Sequence, residues 1–171
     1  MTKKFLLNSQ KDWLRYSKDI YQIPNDKKAW WDLSKINNTQ KQCMLGYVDH
    51  GNNNFIGSSK LHYVSQNDLQ NRGLYHVFHP NEKIMEVVDM YVNPNYRGGG
   101  YCKQLIKDSI NVSNHKKRSL FLVVEGDNAP AQRCYESNGF QYIEPTEQLI
   151  EFYRERWDFL KDPMFMVRKK D

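Results

Sequence analysis

The apolar run Ile84–Val92 leads through Asn93-Pro94 into Arg97-Gly98-Gly99-Gly100-Tyr101-Cys102, and a helix-like stretch follows, with Leu105 as its first periodic leucine. A strand that passes through a glycine turn into a helix points several free backbone N–H groups at one spot, and the helix dipole adds positive potential there. That arrangement suits a phosphate or a pyrophosphate. Two phosphate motifs are excluded by spacing. A P-loop needs Gly-x-x-x-x-Gly-Lys-Ser/Thr, whereas Lys103 is followed by Gln104. The dinucleotide fingerprint Gly-x-Gly-x-x-Gly fails because Tyr101-Cys102-Lys103 follows the glycines. Taken alone, three glycines also serve a plain strand-to-helix corner.

A second segment narrows the reading. After another buried run, Leu120–Val124, the chain places Asn128, Ala131, Tyr135, Gly139 and Phe140 at fixed spacing. Together the two segments resemble the GCN5-related N-acetyltransferase (GNAT) superfamily. That family carries Arg/Gln-x-x-Gly-x-Gly/Ala at a strand-to-helix turn and then Asn-x-x-Ala-x-x-x-Tyr-x-x-x-Gly-Phe. Residues 97–102 match the first pattern except at Cys102, and residues 128–140 match the second in full. The resemblance is sharp over residues 84–144.

The resemblance implies acetyl-CoA as acetyl donor and a primary amine as acceptor; no metal is expected, because the five histidines show no ligand pattern such as HExxH. The N–H groups of Arg97, Gly98, Gly99, Gly100, Tyr101 and Cys102 would hold the pyrophosphate, with the glycines letting the backbone approach closely. Met90, Tyr91 and Val92 would pair with the pantetheine arm as an added strand, and an N–H near Tyr91 or Val92 would polarise the thioester carbonyl. Asn128 and Ala131 would border the cofactor. Tyr135 would be the general acid that protonates the leaving thiolate; without the motif it would read as a core tyrosine of an amphipathic helix. An attacking amine must also lose a proton. Glu86, six residues before Val92 on the same strand, stands where the histone acetyltransferase branch of the family has its glutamate. Asp89, His76 and His79 are weaker candidates for the base, and each could equally be a structural residue. Dimers are common in this family, so a homodimer remains open. The alternative to an enzyme is a catalytically silent CoA-binding sensor or scaffold of the same fold, and the departure at Cys102 is its one support.

These groups need a frame. Residues 42–48 and 54–64 read as strands joined by the turn Asp49-His50-Gly51-Asn52-Asn53-Asn54. Residues 65–82 read as polar and irregular, with a short strand at Leu74–Phe78. Residues 99–113 read as a helix, 128–138 as a helix capped by Asn128 and stopped by Gly139, 140–143 as a strand, 146–160 as a helix and 164–167 as a last strand. Trp13, Leu14, Tyr16, Ile20 and Tyr21 recur at helical spacing behind Asn8-Ser9, and Trp30, Trp31 and Leu33 suggest a second short helix. The N-terminal aromatics sit where the family builds its acceptor site. The sum is a mixed α/β fold on one central sheet. The resemblance makes that sheet mostly antiparallel and splayed between its two parallel middle strands, with helices on its faces.

With 171 residues, the chain is expected to form a single domain over residues 1–171. Its aromatics reach 13%, which excludes a disordered chain, and no apolar run is long enough to span a membrane. The N-terminal apolar stretch is too short for a secretion signal, so a cytoplasmic location is the default. Cys43, Cys102 and Cys134 are odd in number and without a CxxC, and are read as reduced thiols. The formal net charge is +5, and its clearest source is His115-Lys116-Lys117-Arg118. That cluster falls where a helix should end, which favours cations for its dipole and makes a nucleic-acid partner the lesser expectation.

Overall fold

The computed structural model describes residues 2–6, 42–49, 51, 52 and 54–171. The expected N-terminal helices around Trp13 and Trp30 lie outside the described residues. The chain divides into two compact units, Met1–His62 with Val88–Ser109, and Tyr63–Val87 with Ile110–Asp171.

In the first unit, β1 (Thr2–Leu6) pairs antiparallel with β2 (Gln42–Asp49), and β2 with β3 (Phe55–Val64). The 49–54 turn closes with Asp49 N–H donating to Asn54 O at 2.9 Å. The end of β4 (Ile84–Val92) follows β3 in strand order. A 3-10 turn, Pro94–Tyr96, then leads to α2 (Tyr101–His115), of which residues 101–109 lie in this unit. Tyr47, Ile56 and Leu105 form the small core here, with Met90, Val92, Tyr96 and Tyr101 packed against it.

The second unit begins with α1 (Gln66–Asn71). This helix replaces the irregular stretch expected from sequence. Ser65 accepts from Asp68 N–H while Asp68 accepts from Ser65 N–H, a capping box that starts the helix. Leu74–Phe78 is a turn and not a strand: Val77 and Phe78 N–H both donate to Leu74 O. Leu74 and Phe78 bury themselves at a spacing of four, which suits a coiled turn rather than the alternation of a strand. The start of β4 pairs in parallel with β5 (Ser119–Glu125), Ile84 opposite Ser119 through Val87 opposite Leu122. Then come α3 (Ala129–Glu136), β6 (Gln141–Ile143), α4 (Glu147–Arg156) and β7 (Pro163–Arg168). β7 runs antiparallel to both β5 and β6. The core joins Ile84, Phe121, Phe165 and Val167 of the strands to Leu69 of α1 and to Leu149 and Tyr153 of α4. Apolar burial of this kind, at about 25 cal/mol per Å², is the main force holding the helices to the strands.

The fold is thus mixed α/β, with a mixed sheet that is parallel between β4 and β5 and flanked by helices, as the sequence implied. Among the described residues no helix is long and apolar enough to cross a membrane.

Candidate active site

In the first unit the glycine turn is shaped as a cradle. Gly98 and Gly100 have φ of +84° and +78°, the left-handed region that glycine enters without penalty. A Cβ at either would meet nothing within 4 Å, so both face open space. Their N–H groups donate no hydrogen bond among the described residues, and the 15-residue α2 begins directly behind them. The dipole of α2 adds positive potential at this spot.

Several contacts fix this corner. Asn93 donates through Nδ2 to Phe55 O at 2.9 Å and accepts from Asn95 N–H at 3.1 Å, which starts the 3-10 turn. Arg97 turns back, its Nε donating to Val92 O at 3.2 Å. Tyr101 meets Tyr47 and Tyr96 at centroid distances of 6.2 and 6.1 Å. Tyr47 donates to Asp108, and Ser59 and Ser109 share a hydrogen bond of 2.8 Å, which ties α2 to β2 and β3. Burial, joined by the Asp108 hydrogen bond, pushes the Tyr47 phenol well above its usual range, so it stays a donor.

The strand end is bent. Asp89 sits at φ +52°, a left-handed residue inside β4, and is ion-paired with Lys60 at 3.6 Å. Past that kink, β4 comes close to β3: a Cβ on Gly57 would lie 2.5 Å from Tyr91 O and 3.2 Å from Val92 Cα. Tyr91 stacks on Phe55 at 6.3 Å. Met90, Tyr91 and Val92 are all half-buried.

In the second unit, Asn128 caps α3, its side chain accepting from Ala131 N–H at 3.3 Å, and Gly139 ends the segment at φ +87°. Asn128 and Ala131 are thus joined to each other at the helix start. Tyr135 is 6% exposed and meets Phe140 at 6.0 Å. Burial pushes its phenol well above the usual range, and its hydroxyl has no hydrogen-bond partner among the described residues.

Glu86 is 3% exposed and fully engaged. Arg72 Nη1 donates to its Oε2 at 2.6 Å, Tyr153 donates to its Oε1 at 2.5 Å, and Arg72 Nη1 also reaches the Tyr153 oxygen at 2.7 Å. The guanidinium lies 5.0 Å from the Phe152 ring centroid. Sequence reasoning picked out Glu86 but missed Arg72 and Tyr153. Arg72 is the C-cap of α1, so the Ser65–Asp68 capping box was the signal that could have located it. His79 serves a turn, accepting from Asn81 N–H through Nδ1 at 3.2 Å, and His76 meets Tyr75 edge-on at 6.0 Å.

Cys102 and Cys134 are both disulfide-bonded, which corrects the expectation of reduced thiols for these two residues. Separation along the chain carries no information about pairing in space, and the absence of a CxxC could not exclude it.

This architecture has clear relatives. The family model of the acetyltransferase (GNAT) family matches residues 7–140, and the chain belongs to that family. No curated protein sequence matches it significantly. Among solved structures, NAA60 of Arabidopsis thaliana in complex with acetyl-CoA is similar at TM-score 0.65 and 17% identity, over 98% of this chain and 97% of that one. The ribosomal-protein-S18-alanine N-acetyltransferase of Escherichia coli gives 0.64 and 17%, over 98% and 93%. A streptothricin acetyltransferase of Bacillus anthracis, described as putative and bound to acetyl coenzyme A, gives 0.57 and 18%, over 81% and 68%.

Proposed function

We propose that the chain is an N-acetyltransferase that moves the acetyl group of acetyl-CoA to a primary amine by direct attack. The observation that carries this is the open pair Gly98 and Gly100 at left-handed φ on the N-terminus of α2. Acetyl-CoA supplies the activated acyl thioester. The backbone of residues 97–102 binds its pyrophosphate, and Met90–Val92 offers backbone groups to the pantetheine arm. Asn128 and Ala131 border the cofactor at the start of α3. Tyr135 holds the proton that passes to the CoA sulfur as the amine nitrogen forms its bond to the acetyl carbon and the carbon–sulfur bond breaks. A buried phenol that keeps its proton suits that task, since the acid must be protonated before the bond breaks.

The amine also gives up a proton. Glu86 is the base that the resemblance names. A second reading of Glu86 has its own support: both oxygens of the carboxylate are taken up by Arg72 and Tyr153, and its place in the core makes it an anchor between β4, α1 and α4. On that reading solvent takes the proton.

Titration calorimetry with acetyl-CoA tests the donor, and thiol release over a panel of small amines and peptide N-termini tests turnover. Heat at micromolar acetyl-CoA followed by thiol release is expected. No heat at tens of micromolar protein removes the proposal. Tight binding without release on a broad panel favours the sensor or scaffold reading, which the altered motif position Cys102 supports.

A further inference from the structure

We infer that the end of the second unit built around Ser119 is a docking surface for the phosphodiester backbone of single-stranded nucleic acid, apart from the proposed acetyl transfer. The sequence showed one basic cluster, His115–Arg118. The structure adds a second, Arg168-Lys169-Lys170, and a third contributor, Lys83. Ser119 gathers them. Its N–H donates to Lys83 O at 2.9 Å, and its hydroxyl accepts from Lys170 N–H at 3.1 Å. Asn114, beside the first cluster, donates to Asp171 at 2.8 Å, next to the second. Arg168 stands opposite Leu120 in the β5–β7 ladder.

The charge balance is lopsided. Lys83, Lys116, Lys117, Arg118, Arg168, Lys169 and Lys170 are seven cations, and Glu82 and Asp171 are the carboxylates among them. Five positive charges remain, equal to the formal net charge of the whole chain. Glu82 is bound to Lys169 at 2.8 Å and Asp171 to Arg168 at 3.0 Å, so neither is left to neutralise the others. Lys83, Lys116, Lys117 and Lys170 are exposed and form no salt bridge among the described residues. Part of the cluster does what the sequence reading foresaw: Lys117, at φ +54°, ends α2. Ending a helix does not require the C-terminal lysines, nor Lys83.

The place also matters. β5 runs from Ser119 away from this end toward Asn128, and seven strand residues at about 3.3 Å each put the α3 cap roughly 20 Å off. A long anion could occupy the basic end without covering the α3 cap, the part of the proposed site that lies in this unit. A membrane surface fits less well: among the described residues the exposed large apolar side chains are Tyr75, Tyr142 and Phe159, and of these only Tyr75 is tied to the cluster, two residues from the Val77 carbonyl to which Lys169 donates. An aromatic is present in another role. Arg118 and Lys116 lie over the Tyr63 ring at 4.2 and 5.4 Å. The guanidinium plane of Arg118 beside phosphate-binding lysines is a surface on which the unpaired bases of single-stranded nucleic acid stack.

The test is fluorescence anisotropy of the full chain with a labelled single-stranded RNA of mixed sequence, titrated at several salt concentrations. The comparison is a Lys116→Glu, Lys117→Glu, Lys170→Glu variant, with Lys161→Glu as an exposed control. Wild type and control should bind alike, with affinity falling roughly 50-fold between 50 and 200 mM salt if four lysines each neutralise a phosphate. The triple variant should lose at least tenfold at low salt and show a shallower salt slope, while its circular dichroism stays that of wild type. No binding by wild type, or equal binding by the triple variant, overturns the proposal. So does equal competition by polyglutamate, which would mark a surface for acidic protein instead.

Discussion

Arg72 and Glu86 form an ion pair at 2.6 Å whose side chains are 14% and 4% exposed, so the pair belongs to the core. Tyr153 closes it from α4. The three residues come from α1, β4 and α4, so one cluster fastens two helices to the strand whose far end carries Tyr91 and Val92. The Coulomb attraction of Glu86 and the hydrogen bond it accepts outweigh the desolvation of Arg72, whose guanidinium stays charged at any working pH.

Removing one partner leaves the other charge buried and alone. Arg72→Met should therefore destabilise the chain by about 3–5 kcal/mol, read as a lower urea midpoint. Glu86→Gln, which keeps the shape, decides between anchor and base. For an anchor the variant loses stability while its rate keeps the acid limb of the pH profile. Loss of that limb together with a fall in kcat of about 10²–10⁴ would establish Glu86 as the base. The clamp leads us to expect the first result.

Gly57 is the point where β3 and the bent end of β4 touch. The obstacle to a side chain there is backbone, Tyr91 O and Val92 Cα, which cannot rotate away. Gly57→Ala should cost about 1–3 kcal/mol and weaken acetyl-CoA binding, because it displaces the strand end proposed to pair with pantetheine. Gly51→Ala is the control: its Cβ would sit 3.4 Å from Asp49 Oδ1, an ordinary contact. Thermal melting and acetyl-CoA calorimetry on both variants check this, and equal behaviour of the two would contradict it.

Glu82 gives the fold a defined acid sensitivity. Burial raises its pKa, but hydrogen bonds from Lys169, Ser119 and the His79 N–H, with the Lys169 charge, bring it below the ordinary 4.5. The native state therefore favours the carboxylate more than the unfolded chain does. Its contribution is complete above pH 4.5 and is lost as pH falls through the lower native value. Unfolding free energy should decline below that pH in the wild type, and Glu82→Gln should flatten the decline. An unchanged slope in the variant would remove Glu82 from the account.

Much of this was legible because it is local. Asn128, Gly139 and the glycine turn announce themselves through capping and left-handed φ, which neighbouring residues encode. The capping box at Ser65–Asp68 is equally local, but the polar stretch around it carries no apolar periodicity to mark a helix. The pairing of Arg72 with Tyr153, 81 residues apart, leaves no periodic trace. The kink at Asp89 is likewise silent, since an aspartate in an apolar run reads as strand until its φ is known. The basic end shows the same limit, because Lys83 and Lys170 join the 115–118 cluster only through Ser119.

Tyr135 allows the most direct test of the chemistry. Its ring is held against Phe140 and its hydroxyl is unengaged by the described residues, so replacing it with phenylalanine removes one proton donor and little packing. As the general acid, Tyr135→Phe should lower kcat by about 10²–10⁴ with acetyl-CoA affinity within about twofold of wild type. Burial keeps the phenol protonated, so the wild-type rate should show no alkaline limb from this group below about pH 10. A better leaving group supplies the decisive comparison. With an activated aryl thioester as donor, the thiolate departs without help, and the deficit of the variant should shrink toward unity. A deficit that stays constant across donors would assign Tyr135 to packing, and an unaltered kcat with acetyl-CoA would exclude it from catalysis.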